Sequence, residues 1–471
     1  MKFRKNWRRT VALVPALLTV LGLLLLPGCS LFVGAKAPPQ EFVIPQRWST
    51  DIDSTASPLR PWLDNFNQPQ LTELIQEAFT KNPNLQALAA SMEIARQQTW
   101  IAGATRWPQM DAGIRPSRSK RSSTAGFSLS SSRTTNYGFS LDFLWEIDLW
   151  NRLGNRQEAT ELDQAAAEAD LKAAQLSLAA NLVKTWFEAT TAGQQIELAR
   201  KTIQSFKNAL EIIEQGYERG LNRVLDVRLA RTNLLGAISR EQVFRRTKDQ
   251  AVRSLEFFLG RYPAGALEVP PRLPVISEPI PVSIPAKLLE RRPDIIAASQ
   301  RFYASDQRFL EAGKNLLPAI SLTANGGTST RKLGDLFNPE ALIWNIASSL
   351  TQPLFHGGSL LAARDQAKSS RELAAANYTE VLLQAFREVE TTMAADQWFT
   401  IQEQTLMEAS RESREAERLA EDDYVAGLTD IATLLEAQRQ AFDAENGLLE
   451  IRSQQLQNRV NLYLALGGSV Q

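Results

Sequence analysis

Few side chains in this sequence could support covalent or metal chemistry. The 471 residues include one histidine and one cysteine, which excludes most metal sites, any intrachain disulfide and catalysis by histidine or cysteine unless the single copy serves. His356 follows Leu354-Phe355 and precedes two glycines, with no second metal-binding side chain nearby. The run Asn325-Gly326-Gly327-Thr328 lacks the Gly-Lys-Ser/Thr ending of a phosphate loop. We therefore predict no catalytic residue, no metal site and no cofactor.

Charged side chains gather instead around two glycines, Gly220 and Gly427, at the ends of long helical patterns. If several copies of the chain surround one passage, each inward-facing carboxylate becomes a ring that favours cations, and arginines of neighbouring helices can close it. We predict a gate at these glycines, with solvated helix ends as the alternative. The candidate gate residues are Arg219, Arg223, Asp422, Asp423 and Asp430.

The same two glycines belong to matching five-residue turns, 217–221 and 424–428. Each turn has the pattern Tyr-x-x-Gly-Leu, in which the glycine suits a left-handed residue that closes a helix. An exposed glycine and leucine at such a turn could receive the helical hairpin of a partner protein. The candidate docking residues are Tyr217, Gly220, Leu221, Tyr424, Gly427 and Leu428.

Long helices must position these turns. Residues 155–220 contain no proline, and apolar residues recur in alternating steps of three and four, which predicts a coiled-coil helix about 100 Å long. A change of phase near residues 187–189 predicts that the apolar stripe swings around the helix there. The stripe consists of Ala159, Leu162, Ala166, Ala169, Ala173, Leu176, Ala180, Val183 and Phe187, followed by Ala189, Ala192, Ile196, Ala199, Ile203, Phe206, Leu210, Ile213 and Tyr217.

Strands precede this helix. Apolar residues alternate with small or polar ones from Tyr137 to Trp145, which predicts a two-faced strand of about ten residues. Residues 110–116 form its weaker predicted partner, and the serine-rich residues 120–132 are predicted to be the loop between the two strands. Ten residues is the length of a membrane-crossing strand, and an aromatic face opposite a polar face suits a lipid-facing barrel.

The N-terminus has the features of a targeting segment. Five basic residues precede an apolar run that ends at Leu26-Pro27-Gly28-Cys29. This ending resembles a bacterial lipoprotein box, in which the cysteine becomes the lipidated first residue of the mature chain. We therefore predict N-palmitoyl and S-diacylglycerol modification of Cys29, a covalent lipid that anchors the chain to a membrane.

The chain then repeats its own pattern. Arg292-Pro293-Asp294 echoes Asn82-Pro83-Asn84, and the two Tyr-x-x-Gly-Leu turns are 207 residues apart, so we predict a duplication. We expect strands at about 110–147 and 318–352, and long helices at about 151–259 and 359–466. The predicted segments are a signal peptide (1–28), a lipid-anchored tether (29–70), a first repeat (71–260), a proline-rich linker (261–290) and a second repeat (291–467).

Four strands are too few to close a barrel. An open sheet edge is not tolerated in lipid, so the strands must be completed by other copies of the chain. Three copies supply twelve strands, an even number within the usual range. The predicted fold class is therefore mainly α with a β-barrel contribution, built from duplicated β-β-α-α halves that assemble as a homotrimer.

These features together resemble the TolC-like outer membrane factors, and more closely the lipoprotein branch typified by OprM and CusC. The resemblance covers nearly all of the mature chain and rests on the Cys29 box, the duplication and the paired turns. It implies a trimer with a twelve-stranded barrel, a helical periplasmic tunnel and an equatorial domain. It also implies an outer-membrane exit channel that conducts small molecules passively from an RND-type inner-membrane pump and its periplasmic adaptor.

Other functions fit less well. A lipid-anchored coiled-coil tether of the cell envelope needs no aromatic, lipid-facing stripe. A net charge of zero argues against a nucleic-acid partner. Within transport, metal-ion efflux and type I secretion stay open as alternatives, although five methionines and one histidine give no relay for soft metals.

Overall fold

The computed structural model describes residues 45–50, 62–125, 128–275 and 291–468. Cys29, the predicted signal peptide and residues 276–290 of the predicted linker lie outside these residues. None of the described helices is both long enough and apolar enough to be a membrane span. The elements are α1 (Pro69–Lys81), α2 (Pro83–Ala104), β1 (Gln109–Ala125), β2 (Ser128–Ile147), α3 (Arg152–Glu218), α4 (Val224–Phe258), α5 (Pro293–Lys314), β3 (Ala319–Thr330), β4 (Leu342–Thr351), α6 (Ser359–Val425) and α7 (Ile431–Ala465).

The helices repeat in length as well as in order. Helices α2 and α5 have 22 residues each, α3 and α6 have 67 each, and α4 and α7 have 35 each. The duplication predicted from the sequence is therefore confirmed. Helix α3 begins at Arg152, next to the predicted start at about residue 151. The Asp148 carboxylate caps it by accepting hydrogen bonds from the backbone N–H groups of Arg152 (2.6 Å) and Gly154 (2.8 Å).

The apolar stripe of α3 is its packed side. Ala180, Val183 and Phe187 have no exposed surface. Between residues 179 and 192 the helix is buried on more than one side, because Leu182 and Trp186 are buried beside that stripe. This interval contains the change of phase in the sequence, and burial then continues along the second register as far as Ile213.

The four strands form one antiparallel sheet in the order β1-β2-β3-β4. Phe139 of β2 is paired with Ile114 of β1 on one side and with Thr328 of β3 on the other. This register places the aromatic residues of β2 on one face and Gly138, Ser140 and Asp142 on the opposite face. Within the described chain, β1 and β4 each have one edge without a partner strand.

The first hairpin is longer than the sequence predicted. Strand β1 has 17 residues and β2 has 20, and residues 120–125 and 128–132 belong to these strands. The prediction of a loop over 120–132 was therefore wrong. Serine-rich segments carry no apolar alternation to reveal a strand, yet their backbone groups still form a ladder, with Ser122 opposite Ser131. Strands β3 and β4, with 12 and 10 residues, are close to the predicted length.

The chain divides into two compact units. One contains residues 93–166 and 298–378, which include the sheet, and the other contains the remaining described residues. The core of the second unit is aromatic: the Phe66 and Phe187 rings are 5.2 Å apart, and the Trp62 ring stacks on Tyr463 at 6.0 Å. These large buried rings come from segments far apart in the sequence and hold them together.

Candidate functional site: the two helical turns

The two Tyr-x-x-Gly-Leu turns close their helices with the same hydrogen bonds. In the first turn the N–H of Leu221 donates to the Gly216 carbonyl (2.8 Å) and that of Gly220 to Tyr217 (2.9 Å). In the second, Leu428 donates to Asp423 (2.8 Å) and Gly427 to Tyr424 (3.0 Å). This pair of bonds is the Schellman motif, which requires a left-handed residue. Gly220 and Gly427 supply it, with φ of +75° and +71°.

The predicted docking residues are at the surface. Leu221 is 78% exposed and Leu428 is 77% exposed. A Cβ added at Gly220 or Gly427 would meet no atom within 4 Å. Tyr217 is half-exposed, and Tyr424 packs against the small apolar cluster beneath the turns. Each turn thus presents an apolar side chain beside an uncovered backbone.

A hydrogen bond between side chains joins the two turns. The Asn222 amide donates to the Ile213 carbonyl (3.0 Å) and to the Tyr424 hydroxyl (3.1 Å). The amide occupies the space beside Gly216, where an added Cβ would lie 2.3 Å from Asn222 Nδ2. Gly216 is therefore needed for this contact. Asn222 was not among the predicted site residues.

Arg223 begins helix α4 and pairs with the start of the same helix. Its backbone N–H donates to Asp226 Oδ2 (2.8 Å), and its guanidinium donates to both carboxylate oxygens. The hydrogen bonds from the side chain and then the backbone of Arg223 hold the pKa of Asp226 below its ordinary value. Asp226 was not among the predicted site residues, although an acidic residue three positions after the residue that caps a helix is a capping signal.

Asp430 begins helix α7 in the corresponding place. Its Oδ1 accepts hydrogen bonds from the Thr433 N–H (2.9 Å) and hydroxyl (2.8 Å). These bonds lower the pKa of Asp430, and the positive charge of Arg223 lowers it further. Arg223 thus forms an ion pair with Asp226 (3.2 Å). It also attracts Asp430, the predicted gate residue of the second turn, although the two side chains form no salt bridge in the described chain.

The other predicted gate residues are not brought together within the chain. Asp422 accepts a hydrogen bond from Arg418 Nη1 (2.9 Å), one helical turn earlier. Arg219 and Asp423 are exposed, and neither side chain has an ion pair or hydrogen bond to another described residue. Their charges are therefore available to a neighbouring molecule.

His356 lies far along the chain from the turns. It lines a cavity of about 390 Å³ between the ends of β2 and β4 and the start of α6, together with Glu146, Asp148 and Lys314. No group of three or more histidine, cysteine, aspartate or glutamate side chains placed to hold a metal ion occurs among the described residues.

A family model described as outer membrane efflux protein matches residues 74–261 and again residues 284–468. The chain belongs to the outer membrane efflux protein family. Among its relatives, the antibiotic efflux pump outer membrane protein ArpC of Pseudomonas putida is 29% identical, with 94% of this chain and 93% of ArpC covered. The probable outer membrane lipoprotein SilC of Salmonella typhimurium is 26% identical, with 96% and 98% covered.

Solved structures of outer membrane efflux proteins have the same fold. The outer-membrane channel OprN matches with a TM-score of 0.85 at 26% identity, over 93% of this chain and 99% of OprN. CusC matches with a TM-score of 0.82 at 24% identity, over 94% of this chain and 100% of CusC. The predicted TolC-like fold class, the function as the outer-membrane channel of an efflux system and the location in the outer membrane are therefore confirmed.

Proposed function

We propose that three copies of this chain assemble into one exit duct that conducts small molecules passively. The observation that carries the proposal is the four-stranded sheet, whose two outer strands each keep an open edge. Apolar side chains stand exposed beside those edges, among them Met110 on β1 and Trp344 on β4. Joining β4 of one copy to β1 of the next satisfies both edges, and three copies make a closed barrel of twelve strands.

The partners in this proposal are a periplasmic adaptor and an RND-type inner-membrane pump. The adaptor would dock at the two turns, because Leu221 and Leu428 are exposed beside glycines with open space around them. A helical hairpin of the adaptor could bury both leucines without displacing any side chain. The docking residues Tyr217 and Tyr424 would border this contact.

Small organic molecules are the proposed cargo. Relatives carry the names antibiotic efflux pump protein and toluene efflux pump protein. Metal-ion efflux stays open as the second candidate. Five methionines and one histidine in 471 residues offer few soft ligands, which favours the organic cargo. A duct need not bind what it conducts, so the pump would set the specificity.

The gate in this proposal is the ring of charges at the turns. In a trimer, Asp422, Asp423 and Asp430 would each occur three times around the passage. Arg219 and Asp423 have no partner within the described chain, which supports a contact with the neighbouring copy. Arg223 attracts the Asp430 carboxylate within one copy, and it would hold that carboxylate in the closed state.

A lipid on Cys29 would anchor each copy to the outer membrane. In support, residues 49–50, which follow Cys29 by about twenty positions, are held against helix α6. Glu390 accepts hydrogen bonds from the backbone N–H of Ser49 (2.7 Å) and from the Thr50 hydroxyl (2.8 Å). This contact would fix the mature N-terminal segment beside the helices.

The experiment has two stages. The mass of the detergent-solubilised mature protein is expected to be that of three chains, and the trimer is expected to form narrow channels in planar lipid bilayers. The double variant Asp423→Ala, Asp430→Ala lacks two carboxylates per copy at the proposed gate. Its single-channel conductance should therefore be several-fold higher than that of the parent.

The control is the double variant Glu408→Ala, Asp443→Ala, which removes two carboxylates from the same helices at positions away from the turns. It should leave the conductance of the parent unchanged. A monomeric protein that makes no channels would refute the duct. A trimer whose conductance is unaltered by the Asp423 and Asp430 changes would keep the duct and refute this gate.

A further inference from the structure

The apolar face of the first hairpin is followed, further along the strands, by three positive charges. In the β1–β2 register, Ile114 is opposite Phe139 and Pro116 is opposite Tyr137 on the apolar face. Side chains two residues further along each strand point to the same face. That face therefore continues with Arg118, Lys120 and Arg133, which are all exposed.

Among the described residues, these three cations have no carboxylate that neutralises them. No described side chain on their face of the hairpin is acidic, because the acidic residues Asp111, Asp142 and Glu146 point to the opposite face. Arg118, Lys120 and Arg133 form no salt bridge with any described residue. Lys120 is moreover directly opposite Arg133 in the ladder, a placement of like charges that destabilises a sheet unless an anion lies between them.

The spacing matches the thickness of a membrane. Ten residues separate Met110, the first apolar residue on this face, from Lys120, which is about 34 Å along a strand. At a strand tilt of about 40° this becomes about 26 Å along the membrane normal, against an apolar band of about 25 Å in outer-membrane barrels. Because β1 begins at Gln109, shortly after α2, the cations lie towards the end of the hairpin remote from the helices, at the level of the outer-leaflet headgroups.

We propose that Arg118, Lys120 and Arg133 form a binding strip for the phosphate groups of the phosphorylated glycolipid that makes up the outer leaflet. Two phosphates on one lipid headgroup can each contact arginine or lysine from two strands, and a phosphate between Lys120 and Arg133 removes their repulsion. The acyl chains of the same lipid then cover the apolar face that begins at Pro116 and Tyr137. The proposal rests on the sheet lying in the outer membrane and is independent of the cargo, the gate and the adaptor.

The second hairpin has no such strip. Its connection, residues 331–341, carries Arg331 and Lys332 but also Asp335 and Glu340. This loop packs on its own sheet. The Thr328 hydroxyl donates a hydrogen bond to the Leu336 carbonyl, and the ring centroids of Phe337 and Phe139 are 5.9 Å apart. A mixed-charge loop packed on the strands offers little attraction for phosphate, so each copy would bind the lipid through β1 and β2.

The test measures binding of fluorescent bisphosphorylated lipid A to the purified full-length protein in detergent, by fluorescence anisotropy. Removing a cation near an anionic lipid surface weakens binding about fivefold, so Arg118→Gln with Lys120→Gln should weaken it about 25-fold. The matched control is Arg115→Gln with Arg121→Gln, which removes two charges from the opposite face of the same strand and should leave the affinity unchanged. Dephosphorylated lipid A should bind the parent protein as weakly as phosphorylated lipid binds the first variant.

Two further measurements keep the test decisive if the glutamine variant fails to fold. The exchange Arg118→Lys with Lys120→Arg preserves the charge and should retain the affinity, and the dephosphorylated lipid needs no variant. Equal binding of both lipids, or equal losses in both double variants, would overturn the proposal. Displacement of the lipid by equimolar inorganic phosphate would show a site for free phosphate and would overturn it as well.

Discussion

Four helices of this chain end in the same motif, but in two different surroundings. Helices α3 and α6 end at Gly220 and Gly427, and helices α4 and α7 end at Gly260 and Gly467, all with φ between +68° and +75°. At the ends of α4 and α7 the N–H groups of Arg261 and Gly468 complete the Schellman motif, as Leu221 and Leu428 do at the turns. The backbone geometry is thus shared, and only the neighbours differ.

The ends of α4 and α7 are packed. A Cβ at Gly260 would lie 2.5 Å from the Lys81 carbonyl oxygen, and one at Gly467 would lie 3.1 Å from the Arg291 carbonyl carbon. The residues before Pro83 and Pro293 also donate hydrogen bonds to the ends of α4 and α7. The Asn82 amide donates to the Phe258 carbonyl of α4 (2.9 Å). In the second half, the Arg292 guanidinium donates a hydrogen bond to the Ala465 carbonyl of α7 (3.1 Å).

This comparison separates two reasons for a glycine. At the packed ends both the left-handed angle and the close approach of another backbone require it. At the turns only the angle requires it, and the space beside the glycine is empty. Empty space at two equivalent, exposed turns is what a docking surface needs, and the comparison can be tested by filling it.

The largest expected effect follows from bulky residues at the turns. The double variant Gly220→Trp, Gly427→Trp should abolish efflux in cells that contain the matching pump and adaptor, because the two indole rings occupy the space proposed for the adaptor. Resistance of the cells to the exported compound measures this, and the protein should still assemble in the outer membrane.

The control for that prediction keeps the turns small. Asparagine tolerates the left-handed conformation, so Gly220→Asn with Gly427→Asn should retain efflux. Full resistance in the tryptophan variant would remove the turns from the adaptor interface, whatever the asparagine variant does.

A smaller effect is expected at a packed end, and on stability. Gly260→Ala adds a methyl group against the Lys81 carbonyl at an angle that costs an L-residue about 1–2 kcal/mol, and overpacking adds a similar amount. We expect a loss of about 3 kcal/mol in unfolding free energy, measured by circular dichroism in detergent. Gly220→Ala should lose only the conformational part, about 1–2 kcal/mol. Equal losses at the two sites would contradict the distinction between them.

The smallest expected effect is a change in the stability of the folded protein at acidic pH. The Arg261 guanidinium, next to Gly260, donates to both oxygens of Glu77, and chiefly this contact lowers the pKa of Glu77 to about 2 from an ordinary 4.5. A lowered pKa stabilises the folded protein above pH 4.5, and this contribution is lost as the pH falls towards about 2.

The corresponding measurement compares thermal midpoints of the parent and Glu77→Gln. The difference should be greatest above pH 5 and should shrink as the pH falls from 4.5 towards 2. The variant Glu73→Gln, which changes an exposed carboxylate on the same helix, should show no such trend. A difference that is constant across this range would mean that the Glu77–Arg261 pair does not stabilise the packed end.

Most of the helical architecture could be predicted because its signals are local. Prolines and glycines mark the helix boundaries, and α6 begins at Ser359, close to the start expected for the second pair of long helices. The far half of the first hairpin could not be predicted, because residues 120–132 lack the alternation that reveals a strand. Their pairing depends on backbone hydrogen bonds, to which a serine-rich sequence gives no clue.

The charged site was predicted only in outline. The sequence places Arg223 and Asp430 at equivalent helix starts, and in the structure the positive charge of Arg223 helps to lower the pKa of Asp430. The contact of Asn222 with Tyr424 joins residues 202 positions apart, so no local pattern could reveal it. Asp226, in contrast, could have been predicted, since its position three residues after Arg223 is a capping signal in the sequence.

Matching residue counts in the two halves also constrain how such a chain can change in evolution. A deletion in α3 alone would move its turn out of step with that of α6 and would separate Asn222 from Tyr424. Viable length variants should therefore carry compensating changes in all four long helices. Whole heptads are the natural unit for such changes, because seven residues restore the apolar stripe to the same side.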